Sequence, residues 1–257
     1  MKPLILISND DGIDALGVHS LIDYTLQALS NECKIVAVCP DGARSGQSAA
    51  ITHNAPLRLY RRPSYKGAEM WAVSGTPVDC VKLAMHTIFK EKRPDLMLSG
   101  INHGSNAATC VSYSGTMGCV LEACMLGLPA IGFSLTDYRP DADFSPAREV
   151  VDKVVKGVLA GGLPAGICLN VNIPDNCSPE GIKVTRAAKG HWTDEYREYK
   201  DPSGQPFYWL TGHFVNAELD AADTDEYWLA RKYATVVPTS PDLSSPANNL
   251  EIESLLN

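Results

Sequence analysis

From residue 3 to about residue 174, short apolar runs of strand length alternate with longer segments whose apolar residues recur at helical spacing. A continuous apolar run, such as residues 3–8, is typical of a strand that is buried on both faces. Successive strands joined by helices favour a parallel sheet, because the helix carries the chain back to the end where the previous strand began. The alternation therefore predicts an α/β protein with a mostly parallel sheet and helices on both of its faces.

The bounds of the predicted elements follow from the lengths of the apolar runs and from start and stop residues. The predicted strands are residues 3–8, 34–39, 96–99, 130–135 and 168–173. The predicted helices are residues 17–29, 77–89, 114–126 and 146–159. Thr76 is a typical N-cap, and Pro77 is favourable in the first turn of the helix that follows.

The composition changes after Ile182. Residues 183–188 and 207–211 are predicted to be antiparallel strands, with a polar turn at 200–204. A short helix at 223–232, an apolar segment at 234–237 and a small helix at 250–256 complete this part. We therefore predict two units: a catalytic core over residues 1–181, and a C-terminal hairpin and tail over residues 182–257.

Charge and targeting features restrict the function. Acidic residues outnumber Lys and Arg by 30 to 22, which gives a net charge of −8. This argues against binding of nucleic acid or an anionic membrane through a basic face, although a metal ion can still attract an anionic substrate. The first apolar run is too short for a signal peptide, no window is long enough to span a membrane, and the eight cysteines form no C-x-x-C pair. These features predict a cytoplasmic protein with reduced cysteines.

Three polar clusters follow three predicted strands, at residues 8–12, 44–48 and 99–106. A parallel sheet brings such loops to one edge, where open α/β proteins bind their ligands. The first cluster contains the neighbouring carboxylates Asp10 and Asp11, which repel each other at a semi-buried edge unless a cation lies nearby. With Ser45 and Asn102 they form an oxygen set that suits Mg²⁺, Mn²⁺ or Ca²⁺ better than zinc. The alternative interpretation is a turn in which an Asp caps the next helix.

Further candidates lie near these clusters. Ser114 begins a predicted helix, so it is either part of a phosphate site at the helix N-terminus or an ordinary N-cap. His103 is the histidine best placed for proton transfer. Tyr113 is a candidate for stacking on a base, or a buried structural residue. The chain has no G-x-S-x-G, Walker or G-x-G-x-x-G motif, which leaves serine hydrolases, P-loop NTPases and dinucleotide enzymes unsupported.

Several segments, taken together, are more specific than any single candidate. They are residues 7–12, 45–52, 74–81, 94–96, 99–102 and 113–116, together with Gly104, Asn106 and Glu122. Because these segments occur in this order, the chain resembles the SurE (survival protein E) family of metal-dependent 5'/3'-nucleotidases over residues 4–134. The resemblance implies a Rossmann-like three-layer fold with a mostly parallel sheet and a C-terminal β-hairpin extension.

The resemblance also implies residue roles, a cofactor and partners. The implied ligands of one divalent metal ion per subunit are Asp10, Asp11, Ser45 and Asn102. The implied phosphate contacts are Asn9, Ser45, Gly46, Asn106, Ser114, Gly115 and Thr116. The implied catalytic residues are Asp10, Asp11, Asn106 and Ser114. The family exchanges its C-terminal hairpin within a homodimer, often inside a homotetramer. The family's late segments are only partly present at 223–225 and 232–239, where a Gly and a final Leu are lost.

Three functional hypotheses follow. The first is a hydrolase that converts nucleoside 5'- and 3'-monophosphates to nucleoside and phosphate. The second is a response-regulator receiver, which also carries an acidic pair after its first strand. This chain is about twice the length of a receiver, and it has Asn102 in place of an Asp in the loop after its third predicted strand. The third is a regulator that binds a metal ion or a nucleotide without turnover.

Overall fold

The computed structural model describes residues 2–245 and 248–256, which contain thirteen strands, six α-helices and one 3-10 helix at Ala108–Tyr113. The strands are β1 Leu4–Ser8, β2 Lys34–Pro40, β3 Leu59–Tyr65, β4 Ala68–Val73, β5 Leu96–His103, β6 Ala130–Leu135, β7 Cys168–Ile173, β8 Ile182–Val184, β9 Gly190–Thr193, β10 Tyr196–Lys200, β11 Pro206–Leu210, β12 His213–Asn216 and β13 Ala234–Thr239. The helices are α1 Leu16–Ala28, α2 Pro77–Thr87, α3 Gly115–Met125, α4 Ala147–Gly161, α5 Asp225–Leu229 and α6 Asn249–Leu256.

Nine of the strands form one sheet in the order β3-β4-β2-β1-β5-β6-β7-β13-β8. The six strands from β4 to β7 in this order are parallel, while β3 and β13 run antiparallel to β4 and β7. The chain moves outward in one direction from β1 to β2 and in the other direction from β5 to β7, so the strand order reverses between β1 and β5. The predicted mostly parallel α/β fold is confirmed, and its switch point lies between two strands that carry polar clusters.

Helices cover both faces of the sheet, as the alternation of strands and helices predicts. In β1, Ile5 and Ile7 pack into the core under α1 and α4, whereas Leu6 packs into the core under α2 and α3. All three side chains are fully buried. The continuous apolar run at the start of the chain therefore reflects burial on both sides, and it fixes β1 in the middle of the sheet.

The hairpin of β3 and β4 is an element that the sequence analysis missed. β3 is an edge strand whose central five residues are exposed, and it contains Arg61, Arg62 and Pro63. An exposed edge strand has no apolar run to reveal it, and charges and proline are common there because they prevent pairing with another chain. The antiparallel connection at Lys66 and Gly67 also differs from the expected alternation of strand and helix.

The C-terminal segment contributes to the main sheet as well as to hairpins. β8 pairs in parallel with β13, so the prediction of an antiparallel strand over residues 183–188 is wrong in both direction and length. The physical reason is that β13 offers β8 an edge inside the main sheet. The predicted polar turn is confirmed, because β10 and β11 form an antiparallel hairpin on either side of it. The sheet thus includes strands from both sides of residue 181.

All eight cysteines are free thiols in the structure. No helix within residues 2–245 and 248–256 has both the length and the apolarity that crossing a membrane requires.

Close packing of α1 on β5 yields a test of the fold. A Cβ atom added to Gly17 would lie 2.0 Å from the carbonyl oxygen of Ile101, next to Asn102. We expect Gly17→Ala to lower the free energy of unfolding by about 1–3 kcal/mol, because backbone must move to accept the methyl group. In Gly157→Ala the new methyl group in α4 meets open space, so this control should gain about 0.5–1 kcal/mol. Urea unfolding of both variants measures the difference, and equal stabilities would contradict the packing.

Candidate active site

The three polar clusters meet at the carboxyl ends of β1, β2 and β5. The backbone N–H of Arg44 donates to the carbonyl oxygen of Asp10 over 2.7 Å. The backbone N–H of His103 lies 3.4 Å from Oδ2 of Asp11. Ser8 and Ser99 pair in register at the ends of β1 and β5. The loops thus converge because parallel strands deliver them to the same edge of the sheet.

Asp10 is buried at the N-terminal end of α3. Its Oδ1 atom accepts a hydrogen bond of 2.5 Å from the hydroxyl of Thr116, and its side chain is only 3% exposed. A Cβ atom on Gly115 would lie 2.7 Å from Cβ of Asp10, so the helix approaches this closely only because residue 115 has no side chain. The positive end of the α3 dipole therefore lies against the Asp10 carboxylate.

Both neighbouring carboxylates have raised pKa values. Burial, together with the charge of Asp11, raises the pKa of Asp10 to about 6. Burial also raises the pKa of Asp11, although the nearby His103 partly offsets this effect. The interpretation that one of these residues caps the next helix is wrong, because α1 has Ala15 as its N-cap and receives no side-chain cap. Two acids held in this way favour a bound cation over two free negative charges.

Asn102 lies near the end of β5, directly before His103, whose N–H faces Asp11. Its Nδ2 atom donates to the carbonyl oxygens of His103 and Gly104, over 3.2 and 2.9 Å. Both amide protons are thereby used, and no donor among residues 2–245 and 248–256 satisfies Oδ1. Ser45 follows Arg44 in the adjacent loop and is exposed.

The donor set fits a hard divalent cation. Asp10, Asp11, Asn102 and Ser45 offer only oxygen atoms, which Mg²⁺, Mn²⁺ and Ca²⁺ prefer. In the part of the chain that the structure describes, no group of three or more His, Cys, Asp or Glu side chains is arranged to hold a metal ion. A site of the zinc type is therefore not supported there.

Several of the residues predicted to bind phosphate already have other partners. Ser114 is the N-cap of α3 and accepts a bond from the N–H of Met117, which confirms the capping interpretation. The hydroxyl of Thr116 is engaged by Asp10. The side chain of Asn9 closes a turn by bonding both the N–H and the carbonyl of Gly12. Gly46 is exposed in the loop after β2. Their contacts with a phosphate group stay a prediction.

Asn106 is held by a buried polar network that the sequence analysis missed. Its Nδ2 atom donates to Ser134, its backbone N–H donates to Asn172, and its carbonyl accepts from Asn170, over 2.8–2.9 Å. Asn170 and Asn172 are buried in β7, in an otherwise apolar run of sequence. Two asparagines in such a strand could have indicated a buried polar network, because a buried amide needs hydrogen-bond partners.

Asp225 is a second residue whose position only the fold reveals. Its fully buried carboxylate accepts bonds of 2.8 Å from the backbone N–H groups of Ala108, Ala188 and Glu226. It therefore ties the segment after Asn106 to the C-terminal part of the chain. The sequence analysis noted Asp225 only within a partly matching late segment.

Two other candidates lie at the rim of the site. The His103 ring packs edge-on against Phe144, with 4.8 Å between the ring centroids. Tyr113 is 62% exposed, so its interpretation as a buried structural residue is wrong. The exposure of Tyr113 reflects its place at the end of a 3-10 helix on the surface.

The fold and the site together define an open α/β protein that gathers carboxylate, amide and hydroxyl oxygens at the switch point of its sheet. The family model described as survival protein SurE matches residues 5–194 of the chain. The protein belongs to the SurE family, which confirms the resemblance. A receiver domain is no longer a candidate, because its likeness to this chain was confined to one acidic pair.

Individual relatives agree with this assignment. The chain is 44% identical over 244 residues to a protein of Phocaeicola vulgatus named 5'-nucleotidase SurE, with 95% of this chain and 93% of that protein covered. It is 47% identical over 249 residues to the 5'-nucleotidase SurE of Christiangramia forsetii, with the same coverage. The crystal structure of the SurE protein from Aquifex aeolicus aligns with a TM-score of 0.82 at 35% identity, covering 99% of this chain and all of that chain.

The raised pKa of Asp10 predicts an unusual pH dependence of stability. In metal-free protein between pH 4 and pH 6, the folded state binds more protons at Asp10 than the unfolded state does, so stability falls as the pH rises. The loss amounts to about 3 kcal/mol in the free energy of unfolding. Asp10→Asn should remove this loss, whereas Asp152→Asn, a change on exposed α4 surface, should keep it.

Urea unfolding in EDTA at pH 4, 5, 6 and 7 measures the three proteins. If the free energy of unfolding changed with pH in the same way for the wild type and Asp10→Asn, ionisation of Asp10 would not destabilise the folded protein.

Proposed function

We propose that this protein is a metal-dependent phosphomonoesterase that hydrolyses nucleoside 5'-monophosphates, and also 3'-monophosphates, to nucleoside and phosphate. The observation that carries the proposal is that Asp10 contacts the first turn of α3 while Asp11 lies against the end of β5, one residue from Asn102. The relatives named 5'-nucleotidase SurE support the substrate class, since they match this chain over nearly its whole length.

The cofactor in this proposal is one divalent metal ion per subunit. Asp10, Asp11, Asn102 and Ser45 would hold it, because these residues lie in loops that meet at one edge of the sheet and the two acids have raised pKa values. When bound, the ion supplies positive charge to the phosphoryl oxygens and lowers the pKa of a bound water. Without such a charge the acidic edge would repel a phosphate dianion.

The protein's own residues then orient the ester. In this proposal the phosphate contacts are the N–H groups of Gly115 and Thr116, the side chains of Ser114 and Asn106, and the residues Asn9, Gly46 and Ser45. Donors fixed in this way stabilise charge on the phosphoryl oxygens without reorganising during the reaction. Ser134 and Asn172 fix Asn106, so a buried network defines where its amide lies. Transfer of a proton from His103 to the leaving oxygen remains a hypothesis.

We further propose that the protein acts in the cytoplasm as a homodimer or homotetramer that uses the hairpin of β10 and β11. Several large side chains of this hairpin are more than two-fifths exposed: Tyr196, Tyr199, Phe207, Tyr208, Trp209 and Leu210. A cluster of large exposed apolar side chains usually marks a surface that binds another protein.

The mass of the protein in solution tests the proposed role of the hairpin in assembly. Phe207→Ser with Trp209→Ser should shift the sedimentation mass toward the monomer, because burial of both aromatic rings is lost. Tyr60→Ser on exposed β3 serves as the matched control and should leave the mass unchanged. A monomeric wild-type protein would refute the proposed assembly.

Phosphate release from adenosine 5'-monophosphate tests the activity. With added Mn²⁺ or Mg²⁺ the wild type should release phosphate, and excess EDTA should abolish the release. Asp10→Asn and Asp11→Asn should each reduce kcat by about 10²-fold or more, since each removes a charge that holds the ion. Asp152→Asn, which loses only an exposed ion pair with Lys156, should retain wild-type activity.

The same assay separates the remaining hypotheses. Binding of the nucleotide without any release of phosphate would favour a regulator without turnover. Full activity in EDTA, or in Asp10→Asn, would refute the role of the metal ion.

A further inference from the structure

Tyr138 is an exposed aromatic residue at the rim of the candidate active site, and none of the roles above uses it. The side chain follows β6 and is 67% exposed. Single exposed aromatic rings are common on protein surfaces and need no explanation by themselves. This ring differs because its position is fixed from two sides.

The Tyr138 ring packs on the loop between Asn102 and Asn106. A Cβ atom on Gly104 would lie 2.2 Å from Cε1 and 2.5 Å from Cδ1 of Tyr138, so the ring occupies the space that a side chain at residue 104 would fill. The Tyr138 hydroxyl also accepts a hydrogen bond of 3.2 Å from the backbone N–H of Ser105. The ring therefore lies directly on the loop that links the proposed metal ligand Asn102 to the proposed phosphate ligand Asn106.

The neighbours of Tyr138 in the chain are also fixed. The buried carboxylate of Asp137 accepts bonds from the backbone N–H, Nε and Nη2 of Arg139, and Arg139 in turn reaches Asn176. These hydrogen bonds on either side of residue 138 limit its motion before any ligand binds. A ring held in place costs little further conformational entropy when a planar group stacks on it.

The distance from the carboxylates suits a nucleoside. The N–H of His103 lies on Asp11 and the N–H of Ser105 lies on the Tyr138 hydroxyl, with two residues of chain between them. Chain geometry then limits the separation of the Asp11 carboxylate and the Tyr138 hydroxyl to about 14 Å. A phosphate at the carboxylates can thus place its base near the exposed ring. The phenol is uncharged at neutral pH, so it does not repel the phosphate.

Resting on the function proposed above, we infer that Tyr138 is a specificity-determining residue that stacks on the base of the nucleoside monophosphate. Tyr113, the other exposed tyrosine at the rim, is the competing position. Unlike Tyr138, Tyr113 makes no side-chain hydrogen bond to the residues that the structure describes, and its backbone carbonyl accepts one from the N–H of Ser48.

The experiment compares adenosine 5'-monophosphate with ribose 5-phosphate, which has the same phosphate and sugar but no base. Tyr138→Ala should lower kcat/KM for the nucleotide about five- to a hundred-fold, mainly through KM, and leave kcat/KM for ribose 5-phosphate within about two-fold. Inhibition by free adenosine should weaken to a similar extent. Tyr138→Phe keeps the ring and should restore most of the nucleotide activity, and Tyr60→Ala on exposed β3 is the matched control.

Each outcome decides between a stacking role and its alternatives. Equal losses on both substrates would show that Tyr138 is only structural, and no loss on the nucleotide would overturn the inference. A loss confined to Tyr113→Ala would assign the stacking to Tyr113 instead. Wild-type protein that releases phosphate from neither substrate would refute the proposed function itself, and unchanged adenosine binding in Tyr138→Ala would then refute the stacking separately.

Discussion

The contact between the Asp10 carboxylate and the first turn of α3 is the interaction on which the site depends. A buried acid beside a second acid is costly, and here Thr116 and the end of the helix dipole offset part of that cost. The pKa of Asp10 remains raised, so the protein by itself does not fully compensate the pair. A bound cation, as proposed above, would supply the compensation that the pair still needs.

The topology of the sheet explains why such a pair can be assembled at all. β1 and β5 lie on either side of the point where the strand order reverses, so their loops leave the sheet next to an open crevice. α3 then returns against this crevice and presents its N-terminus to it. Buried packing of β1 on both faces keeps the frame rigid, which allows the polar residues at its end to be held without apolar support of their own.

A second group of contacts joins the site to the more distant parts of the chain. The buried amides of β7 hold Asn106, and Asp225 fastens the residues after it to the C-terminal segment. Each of these buried side chains has at least one hydrogen-bond partner, which is the condition under which buried polar groups are stable. The rim is different in character, since aromatic rings there remain exposed to water. Fixed polar groups at the centre and an exposed ring at the rim suit a ligand with a charged end and a planar end.

The sequence by itself determined the alternation of strands and helices in the core of the sheet and the position of the carboxylates at its edge. Apolar runs report burial on both faces, helical spacing reports the covering layers, and polar clusters directly after strands must meet at one edge. It could not reveal the edge hairpin of β3 and β4, whose residues are exposed, nor the parallel pairing of β8. Only the tertiary structure decided that Thr116 holds Asp10, that Asn172 holds Asn106 and that Tyr138 covers Gly104. These partners are separated by 34 to 106 residues, and local sequence patterns carry no information about contacts at that range.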